Sequence, residues 1–122
     1  MTQNSEKLKR RHLMKDSKKQ EQRIAKSIGG RRRPGSGNKP CAKMDVANGR
    51  FLISAKQSRK SISITKEHLL ELQQTALEEG RNPVVHVEFV DGLTRMPIIS
   101  GWLFLAENVM QGKDDFTLEF TF

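Results

Sequence analysis

A chain of 122 residues suffices for one domain with a modest core. It has no apolar run near the roughly 18 residues of a membrane span and no secretory h-region, and its single cysteine, Cys41, leaves no internal disulfide and suits a reducing cytoplasm. Residues 1–60 hold 18 Lys/Arg against four Asp/Glu while residues 61–122 hold four against ten, so the first half points to a polyanion, nucleic acid before membrane surface.

Residues 1–16 are polar and basic, with Leu8, Leu13 and Met14 too sparse for a core, and read as a flexible arm. The folded domain is expected over 17–122. From Ser17, a candidate cap, a helix is expected with Ile24, Ala25 and Ile28 as its apolar stripe, Glu21 at the stripe's edge and Gly29-Gly30 as its stop. Residues 29–43, GGRRRPGSGNKPCAK, form a connection rich in Gly and Pro that carries five basic side chains. The spacing of a P-loop is absent. Glycines that allow close approach, next to Arg31, Arg32, Arg33, Lys39 and Lys43, suit contact with a phosphate backbone, to which Arg50 adds.

A hairpin follows. Met44–Ala47 is a short strand, Asn48-Gly49 carries the type I′ turn signal, and Arg50–Gln57 returns. Alternation puts Phe51, Ile53 and Ala55 on one face and Leu52, Ser54 and Lys56 on the other. Ser61–Ile64 is extended, and Thr65 caps a helix to Glu79, with Leu69, Leu72, Ala76 and Leu77 inside and Gly80 as the stop. Val84–Val90 is a strand with His86 and Glu88 on one face, parallel to Arg50–Gln57 through the helical crossover. Asp91-Gly92 marks a turn. A strand near Gly101–Leu105 and a last one over Phe116–Phe122 complete the chain, with Trp102, Phe120 and Phe122 as candidate anchors of a partner surface.

Phosphodiester cleavage at neutral pH needs a held cation, an activated water and charge neutralisation at phosphorus. Magnesium wants oxygen ligands, and one or two carboxylates often suffice. Asp45 on one strand, with Ser54-Ala55-Lys56 on its neighbour, supplies a carboxylate and a lysine but lacks a second carboxylate. Either Glu21 from the helix or Glu88 from the later strand is expected to supply it. His12 and His68 look incidental, and no Cys/His cluster suggests zinc.

As a set, Glu21 on the first helix, GGRRRPGSG at 29–37, MDV at 44–46, FLISAK at 51–56 and PVVHVEF at 83–89 resemble the PD-(D/E)XK nuclease superfamily, in particular the small Holliday junction resolvases of phages and archaea. The resemblance covers about residues 17–90. It implies a restriction-endonuclease-like α-β-β-β-α-β core with a mixed central sheet. It also implies Mg²⁺-dependent hydrolysis that leaves 5′-phosphates, with Mn²⁺ able to substitute, and a homodimer on branched or double-stranded DNA. No organic cofactor and no membrane enter this picture, and the place of action is the cytoplasm, the host's if the protein is phage-encoded. Glu21 and Asp45 match the metal carboxylates, Lys56 the catalytic lysine and Ser36 a loop serine at the scissile strand. Ser54 stands at the metal position where the family carries Glu or Gln. The departure raises a second reading: a nuclease fold without catalysis, serving as a DNA-binding or assembly protein.

Overall fold

A computed structural model describes residues 17–33, 44–105 and 114–122. The basic arm and the loop that carries Ser36, Lys39 and Lys43 lie outside the described residues. Helix α1 (17–28) is followed by strands β1 (Arg31–Arg32), β2 (Val46–Ala47), β3 (Phe51–Ser58) and β4 (Ser61–Thr65). Helix α2 (Lys66–Glu79) then leads to β5 (Asn82–Val90), β6 (Pro97–Phe104) and β7 (Thr117–Thr121). The central sheet has the order β1-β2-β3-β5-β6 and is mixed, with β3 parallel to β5 and every other neighbouring pair antiparallel. The three strands expected between the helices are present as β2, β3 and β4, preceded by the additional two-residue β1, and β4 is diverted into a two-stranded side sheet with β7.

The parallel pair is the centre of the molecule because both of its faces are covered. On one face Ile53 and Val84 pack with Val46 and with Ile24 of α1. On the other, Leu52, Val85 and Phe89 pack with Leu69, Leu72 and Ala76 of α2 and with Ile62 and Ile64 of the side sheet. Thr65 caps α2 by accepting from the His68 N–H, and Gly80 closes it in the left-handed region at φ 68°. The Arg81 N–H reaches Ala76 O at 2.8 Å and the Gly80 N–H reaches Leu77 O at 3.2 Å, the two bonds of a Schellman motif.

Helix α1 ends in the same manner: Gly29 adopts φ 62° and the Gly30 N–H reaches Ala25 O at 2.8 Å. A Cβ on Gly30 would lie 2.6 Å from Ala47 O, so β2 passes too close for any side chain.

Three local expectations are corrected. Ser17 is already helical and so is not the cap of α1. Leu77 is 74 % exposed, because the stripe of α2 that meets the sheet is Leu69, Leu72 and Ala76, and Leu77 falls one step around the helix. Asn48-Gly49 is no type I′ turn, since neither residue has the positive φ that turn requires. Instead Asn48 opens the turn. Its Oδ1 accepts from the Arg50 and Phe51 N–H groups at 2.8 and 2.7 Å, and its Nδ2 donates to Ile28 O at 3.0 Å. The side chain that favours the left-handed region in isolation is recruited here as a bracket to α1.

Candidate functional site

Pairing between β2 and β3 begins at Val46, opposite Ile53, and one residue earlier the two chains separate. The Asp45 N–H still reaches Ile53 O at 2.9 Å, but the next β3 donor, the Ala55 N–H, takes the Asp45 carboxylate at 2.7 Å in place of a backbone carbonyl. The carboxylate is thereby fixed at the fork between the strands. Burial raises its pKa above the ordinary value, and this rise outweighs the lowering by the Ala55 N–H, by Lys56 and by Arg32.

Glu21 arrives at the same fork from α1. Burial raises its pKa and the nearby Asp45 charge raises it further, while Arg32 and Lys18 lower it. Arg32 Nη2 lies 3.7 Å from Glu21 Oε2. Two carboxylates, a lysine and an arginine from four separate segments therefore converge, and neither carboxyl group is in the environment it would choose as an isolated anion.

The helix is held in register by its preceding residue. Gln20 is buried, its Nε2 donates to Lys56 O at 3.0 Å, and the same nitrogen lies 3.0 Å from His86 Nδ1. The His86 ring meets Trp102 edge-on at a centroid separation of 4.5 Å, and burial lowers the imidazole pKa more than Glu88 raises it. Sequence reasoning missed Gln20, although a polar residue one turn before Ile24 on the apolar stripe is the available signal.

Glu88 belongs to another cluster. In the parallel register Glu88 stands beside Gln57 and Val85 beside Ser54, so Glu88 lies on the α1 side of β5 and Ser54 on the α2 side of β3. Both Glu88 oxygens accept from Arg23 at 2.9 Å, and Oε1 also accepts from Gln57 Nε2 at 2.9 Å. The carboxylate clasps α1 to the sheet. It does not take the place of the carboxylate missing at Ser54.

Ser54 is 1 % exposed and its Oγ is hydrogen-bonded to His68 Nε2 at 2.9 Å. Burial and then the Lys56 charge lower the His68 pKa, which Glu71 raises. His68, read from sequence as incidental, is thus the hydrogen-bond partner on α2 of the buried Ser54. Neither sequence spacing nor type signals this contact, because β3 and α2 are brought together only by the crossover.

Of the expected backbone-contacting residues, Arg31 and Arg32 form β1 and are exposed, and Arg50 is exposed with its guanidinium 5.6 Å from the Phe51 ring centroid. The Arg33 N–H is anchored on Asp45 O at 2.9 Å.

Among the described residues no group of three or more His, Cys, Asp or Glu side chains is arranged to hold a metal ion, and no helix is long and apolar enough to cross a membrane. The donor set at the fork is Glu21 and Asp45, two carboxylates whose burial raises their pKa values, a set that fits a hard divalent cation retaining several waters. No family model and no curated protein matches the chain.

Proposed function

We propose that the chain is a structure-selective DNA endonuclease of the PD-(D/E)XK type, working as a junction-resolving homodimer with Mg²⁺ or Mn²⁺. The observation that carries this reading is the convergence of Glu21, Asp45 and Lys56 at the β2/β3 fork, where burial raises both carboxylate pKa values and the Asp45 charge raises that of Glu21 further. Acids perturbed by burial beside a specific charge partner are the kind of group from which functional sites are built. Glu21 and Asp45 are the side chains that would hold the cation. The cation supplies positive charge that activates water and neutralises charge developing on the phosphate. The Lys56 charge reaches Asp45, lowering its pKa, and its ammonium would meet the developing oxyanion. The Ala55 N–H fixes which Asp45 oxygen stays free to act, and the tie between Gln20 and Lys56 O sets Glu21 beside it.

The arm and the basic segment would supply sequence-independent, salt-sensitive affinity, and the branch-point shape would supply selectivity. A second copy would dock on the open sheet edge at β6, where Ile98, Ile99, Trp102 and Phe104 are exposed. Of the expected anchors, Trp102 and Phe122 are exposed, whereas Phe120 is partly buried against the core.

The test is a labelled four-way junction and a matching linear duplex, with and without Mg²⁺. Paired symmetric nicks on the junction alone, abolished by Asp45→Ala and by Glu21→Gln, support the reading. Undiminished cleavage by Asp45→Ala overturns it. The buried Ser54–His68 pair favours one alternative, a DNA-binding protein that has lost catalysis, whose outcome is tight junction binding without nicks.

A further inference from the structure

Between the end of α1, the β1–β2 pair and the C-terminal end of α2 lies an open hollow of about 370 Å³. Gly29 and Gly30 leave part of its wall as bare backbone, and four arginines, Arg31, Arg32, Arg33 and Arg81, line it together with Ala47 and Asn48. Arg81 comes from the acidic half of the chain, where four Lys/Arg stand against ten Asp/Glu.

Its placement is constrained at three points. The Arg81 N–H is spent in the Schellman motif of α2, its Nε donates to Asn48 O at 2.8 Å, and its Nη1 pairs with Glu79. Glu79 also receives Arg33 Nη1. One carboxylate thus sits between two guanidinium groups, with Arg31 and Arg32 on the same hollow. Its pKa is lowered first by the Arg33 hydrogen bond and then, after an opposing effect of burial, by the two arginine charges, so Glu79 is anionic at neutral pH.

This arrangement suits a phosphate: forked cationic donors held in advance, close backbone without side chains, and two of the lining guanidinium groups already turned to one carboxylate, Glu79. We propose that Arg81, together with Arg31 and Arg33, forms a seat for a backbone phosphate of nucleic acid, apart from the Glu21–Asp45 fork, in which Glu79 stands in for the phosphate until DNA displaces it. The proposal rests on the nucleic-acid part of the function proposed above and is independent of cleavage. It adds a residue from outside the basic half to the binding surface and makes the footprint continue from the fork to the end of α2.

The experiment is fluorescence anisotropy of the full chain with a labelled four-way junction and a labelled duplex, without divalent cation, across a salt series, with circular dichroism to confirm the fold of each variant. Arg81→Gln is expected to weaken binding to both DNAs about tenfold, the worth of one charge-assisted contact. It should also reduce the slope of log affinity against log salt by about one. Glu79→Gln is expected to do the opposite and tighten binding about threefold or more, which corresponds to roughly 0.7 kcal/mol at 25 °C. The second variant keeps the idea testable if Arg81→Gln fails to fold.

Folded Arg81→Gln with wild-type affinity and slope overturns the seat, as does Glu79→Gln binding no more tightly than wild type. Inorganic phosphate serves as the competing source. If millimolar phosphate binds in an Arg81-dependent way while DNA affinity ignores Arg81, the hollow is a small-anion site and the proposal fails. If wild type binds with the predicted Arg81 dependence but never cuts, the seat stands and the endonuclease reading falls. If wild type cuts while Arg81→Gln binds normally, the reverse holds.

Discussion

Glu88 separates a structural carboxylate from a metal ligand by an experiment whose size can be worked from the geometry. Truncation by Glu88→Ala removes three hydrogen bonds, two from Arg23 and one from Gln57, each at 2.9 Å. Breaking a fully buried ion pair costs about 3–5 kcal/mol, and breaking an exposed one about 0.2–1 kcal/mol. Here the Glu88 side chain is 3 % exposed and that of Arg23 is 45 % exposed. Water can therefore rehydrate the guanidinium after truncation, and the loss falls between the two limits, at about 2 kcal/mol. At roughly 4 °C per kcal/mol for a chain of this size, the melting temperature should drop by about 8 °C. Glu88→Gln keeps the volume and one acceptor and should lose about half as much. Urea melts followed by circular dichroism give the stability, and junction cleavage at a temperature where all variants are folded gives the activity. Cleavage by Glu88→Gln should stay near wild type while Glu21→Gln loses it. A Glu88→Gln protein with unchanged stability but no metal-dependent cleavage would refute the assignment of Glu88 to the α1 clasp.

Gly30→Ala puts a Cβ 2.6 Å from Ala47 O and should cost about 1–3 kcal/mol in a urea melt, as an overpacked contact against rigid backbone does. For the two imidazoles, folded pKa values below the ordinary 6.5 mean that the unfolded chain binds the proton first. Their contribution to stability is present above pH 6.5 and lost as pH falls through the lowered values, which ring-proton NMR titration of His68 and His86 would show as midpoints below 6.5. Glu21 works in the opposite sense: its folded pKa is raised, so its contribution is present below the ordinary 4.5 and lost as pH rises through the folded value. Glu21→Gln should accordingly be more stable than wild type at pH 7, with the gain gone at pH 3, and a variant no more stable at pH 7 would remove the evidence for strain at the fork. Phe104→Lys, on the exposed edge strand, should convert a dimer to monomer in sedimentation velocity, and a wild type that is monomeric at high protein concentration would sink the edge-pairing idea.

What the sequence made legible is what short-range chemistry decides. Thr65 and Gly80 bound α2 because a cap and a left-handed glycine act within one turn, and alternation sorts Phe51, Ile53 and Ala55 from Leu52, Ser54 and Lys56. The parallel direction of β3 and β5 follows from the helical crossover between them. The contacts that position the candidate site are of another kind. Gln20 and His86 are 66 residues apart, and Arg23 and Glu88 are 65 apart, and no local pattern reports on either pair. Even the hairpin turn escaped local rules, because the Asn48 amide had a partner at Ile28 O that an isolated turn lacks. Glu21 and Asp45 could be singled out from their types and order, but their nearness depends on α1 being hooked to Lys56 O by a residue that carries no chemistry of its own.

The same coupling gives Ser54 its meaning. Burial and the Lys56 charge hold His68 below its ordinary pKa, hence neutral at pH 7, and a neutral hydroxyl at 2.9 Å suits a neutral imidazole. A carboxylate at that position would draw a proton onto His68 and set a cation beside Lys56. Serine at 54 and histidine at 68 are therefore matched to each other, and Ser54→Glu alone would disturb α2 before it rebuilt any metal site. With that position closed, the oxygen donors left at the fork are Glu21 and Asp45. The proposed catalysis would then depend on how firmly α1 is held: Gln20 fixes it at Lys56 O, the Arg23–Glu88 clasp fixes it at β5, and Glu21 lies between the two anchors. Under the proposed function, a carboxylate delivered from a helix restrained on both sides would serve where the strand carries Ser54.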